Sequence, residues 1–189
     1  MSLAIIYSRA RYGLAAPLVT VEVHLSNGLP AFQLVGLPET SVKEARGRVR
    51  SALLNSGFQF PDKRITVNLA PADLPKEGGR FDLAIALGII VASGQLPEKC
   101  TDHFEFCGEL ALSGEVRPAP QAEARLNEAA RLGFSKAAAP GDARGKGRPK
   151  GVEMASVRRI DELVRLIAAE PLLRAPKPAD WDGDEPLGD

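Results

Sequence analysis

The chain has 189 residues, 44% of them hydrophobic, and its 24 basic side chains balance 24 acidic ones. That length supports one domain with a proper core, alone or with a tail, and its apolar runs fall short of the roughly 18 residues a membrane helix needs. Charge balance names no partner, two cysteines (Cys100 and Cys107) are too few for a disulfide framework, and the N-terminus lacks the features of a secretory signal. The chain therefore reads as soluble and cytoplasmic.

The N-terminal "SLAIIYSR" reads as a first strand. Residues 17–26, "PLVTVEVHLS", alternate apolar and polar positions with β-branched residues; "NG" follows at 27–28 and a second extended run at 31–36. Together they predict a hairpin. From residue 38, Val42, Ala45, Val49, Ala52 and Leu53 recur at helical spacing up to a terminating Gly57. "RITVNLA" at 64–70 predicts a strand, and "FDLAIALGIIVASG" at 81–94 a nearly all-apolar helix. Beyond it come a strand or hairpin over 104–116, an amphipathic helix over 120–133, a short strand "KAAAP" at 136–140 and a last helix over 156–170. Interspersed strands and helices predict an α/β (α+β) domain with one mixed sheet covered by helices. "PGDARGKGRPKG", residues 140–151, predicts an exposed loop. The Pro- and Asp-rich residues 171–189 predict an extended linker, which leaves a domain over 1–170.

Charge is distributed unevenly. Residues 43–50, "KEARGRVR", hold four basic side chains against one acidic, whereas the segment from Arg174 onward holds five acidic against two basic. Cys100, His103 and Cys107 are three residues of metal-ligating type close together, but a structural zinc site needs four ligands, so no metal site is expected. "GDARGKGR" lacks the spacing of a phosphate-binding P-loop and its Ser or Thr. The turn "PKEGGR" before the apolar helix is the most distinctive feature. Gly78 and Gly79 there predict a backbone need, either positive φ or close approach, and a helix start can also seat a phosphate.

The block from "VHLSNGLPAFQLVGLPETSVKEARGRVRSALLNSG" through "FQFPDKRITVNLAPADLPKEGGRFDLAIALGI", continued by "GELALSGEVRP" at 108–118, resembles the N-terminal domain of the ComM/YifB family. These are magnesium-chelatase-like AAA+ ATPases implicated in DNA branch migration during natural transformation. The similarity spans residues 2–170. It implies a Lon-protease-like, ribosomal-protein-like two-layer fold preceding an ATPase module, with residues up to Asp189 leading toward that module and no Walker motif before it.

Lon-type proteases use a Ser-Lys dyad, the serine following a "PKDGP"-type turn and the lysine following the "GE…L.G.V.P" hairpin. The resemblance places Arg80 at the serine position and Glu123 near the lysine position. Arginine is no nucleophile at neutral pH, and glutamate cannot serve as the neutral amine. The expectation is a noncatalytic domain. Arg80 then either pairs with Glu123 across the former dyad or reaches Asp82, Glu77 or solvent.

Two function classes follow. In one, the domain supports DNA binding or ring assembly, with Lys43, Arg46, Arg48, Arg50, Lys63 and Arg64 on DNA phosphates. In the other it is a structural protein-interaction module, an inactive protease relic whose cations are a solvated face. With aromatic content of 5%, a stacking platform for single strands is not evident in the sequence. No cofactor is expected in this chain, since ATP and magnesium belong to the AAA+ module. The expected partners are DNA, that module in cis or in trans, and further copies in a full-length hexamer, without a membrane.

Overall fold

A computed structural model describes residues 2–10, 12, 15–102, 104–117, 136–140 and 153–173. Four strands form its main sheet: β1 (Ser2–Arg9), β2 (Leu18–Ser26), β3 (Ala31–Val35) and β4 (Arg64–Ala70), in the order β1-β2-β4-β3. The alternation legible in β2 sends Val19, Val21, Val23 and Leu25 to one buried face, which Ile65, Val67 and Leu69 of β4 extend. Their neighbours on each strand stand on the opposite, partly exposed face.

Helices α1 (Thr40–Lys43), α2 (Ala45–Asn55) and α3 (Asp82–Ala92) follow in the chain. α3 lies across β1 and β2, and α2 packs beside it. Every residue of α3 is buried, as a helix that is apolar all round after Asp82 requires. Fully burying each of its leucines and isoleucines is worth about 1.5–3 kcal/mol. Gly88 sets how closely α3 approaches the sheet. A Cβ there would stand 2.4 Å from Val23 Cγ2.

A second sheet has the order β5-β8-β9, formed by β5 (Phe104–Phe106), β8 (Lys136–Pro140) and β9 (Glu153–Val157), all parallel, while β6 (Glu109–Leu110) and β7 (Val116–Arg117) make a small antiparallel ladder. A buried ion pair ties the two sheets together: Arg9 on β1 donates from Nε to both carboxylate oxygens of Glu105 on β5, at 2.9 and 3.0 Å, and from Nη1 to the Ala16 carbonyl at 3.1 Å. Helix α4 (Ile160–Leu173) closes the described chain, with Ile160, Leu163, Val164 and Ile167 in the core.

The α/β class and the helix-covered mixed sheet match the expectation, but three local readings are corrected. β2 and β3 are not a hairpin, because β4 lies between them, antiparallel to β2 and parallel to β3. Residues 27–30 must therefore cross two strand spacings of about 4.8 Å each, farther than a two-residue turn reaches. The helix expected from residue 38 starts only at Thr40, Pro38 being held in a bridge with Lys76, and it is split at Glu44 into α1 and α2. Ser156 and Val157, expected in the last helix, complete strand β9, and α4 runs past residue 170. Of the loop expected over 140–151, Pro140 ends β8, and of the linker expected over 171–189, residues 171–173 belong to α4; the rest of both, and the helix expected over 120–133, lie outside the described residues.

Candidate functional site

The turn ahead of α3 holds structure through Lys76 and the two glycines. Lys76 is completely buried, and its ammonium donates to the Gly36 carbonyl at 2.5 Å and to the Pro71 carbonyl. Burial pushes its pKa down, with Asp73 acting against the shift. An ammonium committed to carbonyls acts as a donor, whereas a dyad lysine must accept a proton. The backbone of Lys76 also accepts from Glu39 N–H at 2.9 Å and donates to Leu37 at 3.3 Å.

Both explanations offered for the glycines hold, one at each position. Gly78 has φ of 78°, open to glycine without a steric penalty, and its N–H donates to Ser41 Oγ at 2.9 Å. Gly79 permits close approach: a Cβ would stand 2.3 Å from Glu109 Oε1. The Leu83 N–H at the helix start already donates to Gly108 C=O at 3.1 Å, and that of Asp82 to Gly79 C=O at 3.1 Å. Protein groups thus fill much of the space an anion would use. Arg80 is buried, and its carbonyl accepts from Gly108 N–H at 3.0 Å. Its expected partner, Glu123, lies outside the described residues.

Asp82, in the first turn of α3, belongs to Arg48. The carboxylate is 1% exposed and accepts from Arg48 Nε at 2.6 Å, Arg48 Nη2 at 3.1 Å and Leu110 N–H at 3.1 Å. Burial raises its pKa to about 6, against the opposing pull of Arg48 and of the Leu110 amide. The hydrogen bond to Asp82 in turn raises Arg48 above its ordinary value. Arg48 Nη2 also donates to Ser41 C=O at 2.8 Å, so one guanidinium ties α2 to α1 and α3, and the Asp82 carboxylate extends the tie to β6. This removes Arg48 from the set of cations available to a ligand. Arg46 and Arg50, four residues apart, share one helix face, whereas Arg48 between them points to the other.

Arg46, Arg50 and Lys63 converge on a groove of about 340 Å³, together with Phe32, Phe60 and Asp62. All three cations are exposed and both phenylalanines half-buried. Arg46 and Arg50 come from α2, Phe32 from β3, and the rest from the link between α2 and β4. Gln95 fixes that link, accepting from Gln59 N–H at 2.9 Å and donating to Gln59 C=O at 3.0 Å. The Ala31 N–H donates to Lys63 C=O at 3.4 Å. The Arg50 guanidinium carbon stands 5.9 Å from the Phe60 ring centroid, at the outer edge of cation–π range.

The other two expected cations lie elsewhere. Arg64 is exposed on the opposite sheet face, because its neighbour Ile65 points to the core, and Lys43 is exposed on α1. The aromatic part of the groove was missed in the sequence, although "FQFPDKR" at 58–64 interleaves rings with cations. Cys100 and Cys107 are buried free thiols, with Cys100 pushed up by burial, and His103 lies outside the described residues. Among the described residues, no three His, Cys, Asp or Glu side chains group as metal ligands do. No helix there is long and apolar enough to cross a membrane.

Comparison with known proteins places this geometry in a class. Residues 21–143 match the family described as subunit ChlI of Mg-chelatase. The chain is 69% identical over 117 residues to competence protein ComM of Haemophilus influenzae, covering 62% of this chain and 23% of that protein. It is 47% identical over 180 residues to the uncharacterized protein YifB of Escherichia coli, covering 95% and 36%. A DNA repair protein RadA of Streptococcus pyogenes is 37% identical over 88 residues, covering 46% and 19%. The chain belongs to the Mg-chelatase-like ComM/YifB family. It spans between 23% and 36% of the length of its ComM and YifB relatives.

Proposed function

We propose that this chain is a noncatalytic domain of a ComM/YifB-type Mg-chelatase-like ATPase and that it contacts DNA through the groove between α2 and the start of β4. ATP and magnesium are handled by a separate AAA+ module in the longer relatives, and the domain works in the cytoplasm, in DNA branch migration and transformation, as part of a ring. The observation that carries this reading is the convergence of Arg46, Arg50 and Lys63, from two separate stretches of sequence, on one groove. Cations gathered in this way neutralise phosphates and release counterions, a sequence-independent and salt-sensitive interaction. Relatives named for competence and DNA repair are in keeping with a DNA-facing role. At the position that the resemblance gives to the serine, Arg80 offers no nucleophile, and Lys76, outside the dyad register, has its ammonium committed to the Gly36 carbonyl.

A second reading, a protein-interaction module without nucleic-acid contact, is favoured by one observation. Leu3 and Ile5 stand exposed on the open face of the main sheet, an apolar surface suited to a neighbouring domain or subunit.

Fluorescence anisotropy of the chain with labelled single-stranded, duplex and forked DNA at two salt concentrations separates the two. The DNA reading expects affinity that falls steeply with salt and is lost when Arg46, Arg50 and Lys63 are all changed to Ala. Absence of binding at high micromolar protein would leave the interaction module.

A further inference from the structure

We infer that the groove between α2 and β4 is a stacking subsite for an unpaired nucleobase, with Phe60 as its platform, and that it selects single-stranded over duplex DNA. The inference rests on the DNA-contacting reading above and adds the part of the ligand that phosphate contacts leave unspecified. Phosphates need only the exposed Arg46, Arg50 and Lys63. Phe32 and Phe60 pack against the hydrophobic core from one side and, half-buried, line the concavity from the other, so the cations share the groove with aromatic surface that phosphates do not use.

The groove's size and charge suit a flat group attached to an anionic backbone. Its volume, about 340 Å³, lies at the small end of the roughly 300–1,000 Å³ of small-ligand sites, enough for a base or two. A duplex also keeps its base faces stacked on one another, whereas every unpaired base offers a π-face that an aromatic ring can meet without regard to sequence. Asp62 is the acidic member of the lining, and the three cations outweigh it. The Arg50 guanidinium lies over the Phe60 ring, its carbon 5.9 Å from the centroid, so a base stacking there enters between the two, with the ring on one side and the cation on the other or turned to its phosphate. The paired Gln59–Gln95 hydrogen bonds hold the backbone that carries Phe60, so the platform is preformed.

The test compares three labelled probes on the complete chain: oligothymidine, an abasic strand of the same length with the same phosphates, and a duplex. Oligothymidine should bind about 5- to 150-fold more tightly than the abasic strand, the range of one stacked base. Phe60→Leu keeps apolar packing but removes the π-face. It should bring oligothymidine down to the abasic level and leave the abasic and duplex affinities unchanged, and Phe60→Trp should preserve the preference. A melting curve for each variant confirms that it is folded. Equal affinity for the oligothymidine and abasic strands, or an unaffected Phe60→Leu variant, would overturn the stacking subsite while leaving phosphate contact standing. Failure of all three probes to bind would overturn the DNA reading and this inference with it.

Discussion

Arg48 on α2 donates two hydrogen bonds to the buried carboxylate of Asp82 on α3, at 2.6 and 3.1 Å, so a cation from the most basic stretch of the sequence is spent inside the fold. Removing one partner of a buried pair strands the other charge and costs about 3–5 kcal/mol. Arg48→Ala should therefore destabilise the domain strongly in urea at pH 7.5. The loss should be smaller at pH 5, where Asp82 is already largely protonated.

The pH dependence of the unsubstituted chain has a definite sign. Asp82 titrates at about 6 in the folded state against an ordinary 3.8, so the folded state holds its proton more tightly than the unfolded one. Its contribution is fully present below about pH 4 and is lost as pH rises through 6, by about 3 kcal/mol. Asp82→Asn does not titrate. The stability difference between the unsubstituted chain and this variant, measured from about pH 3 to 8, should shift by that amount in favour of the variant. A flat difference would mean the carboxylate titrates at its ordinary value.

Gly88 should be far less tolerant than Gly79. A methyl at 88 meets the β-branched, buried Val23 at 2.4 Å, whereas at 79 it meets Glu109 from Oε1 at 2.3 Å back to Cγ at 2.7 Å, an unbranched side chain that can turn away as a whole about its Cα–Cβ bond. Overpacking costs about 1–3 kcal/mol, against a gain of up to about 1 kcal/mol from replacing glycine in a helix. Gly88→Ala should lower the melting temperature, and adding Val23→Ala should recover part of the loss. A double-mutant cycle in thermal melts reads the coupling directly.

Lys76→Met should destabilise the turn without touching any DNA contact. The variant keeps the length of the side chain but leaves the Gly36 and Pro71 carbonyls without their donor, at about 1–3 kcal/mol for each carbonyl left unsatisfied. Urea midpoints should fall while affinity for DNA, measured below the unfolding range, stays unchanged. A change in affinity would tie the turn to the groove.

The six basic residues expected to meet DNA should separate into groups. Changing Arg46, Arg50 and Lys63 to Ala should each reduce the slope of log affinity against log salt by about 1. Arg64→Ala and Lys43→Ala should leave that slope near its original value, because both lie outside the groove.

The pattern of apolar residues settled much of this protein in advance. β2 and β4 could be read from period-two alternation and α3 from an unbroken apolar run, because burial on one or all faces leaves its mark along the chain itself. The glycines of the turn were legible for the same reason, since a backbone demand restricts the residue at that position. Strand order was not. The Asn-Gly pair at 27–28 favours a hairpin locally, and only the burial of β4 on the core face, with neighbours on both edges, places it between β2 and β3. The candidate site shows the same division. Sequence picked out the cations but could not orient them: helical phase sends Arg48 inward to Asp82, a partner 34 residues away, while Arg46 and Arg50 turn outward. Phe32 and Phe60 lie on different elements, and only the packing of β3 against the link before β4 brings them to one groove. Contacts within an element follow from chain periodicity, but a site shared between elements depends on how they pack.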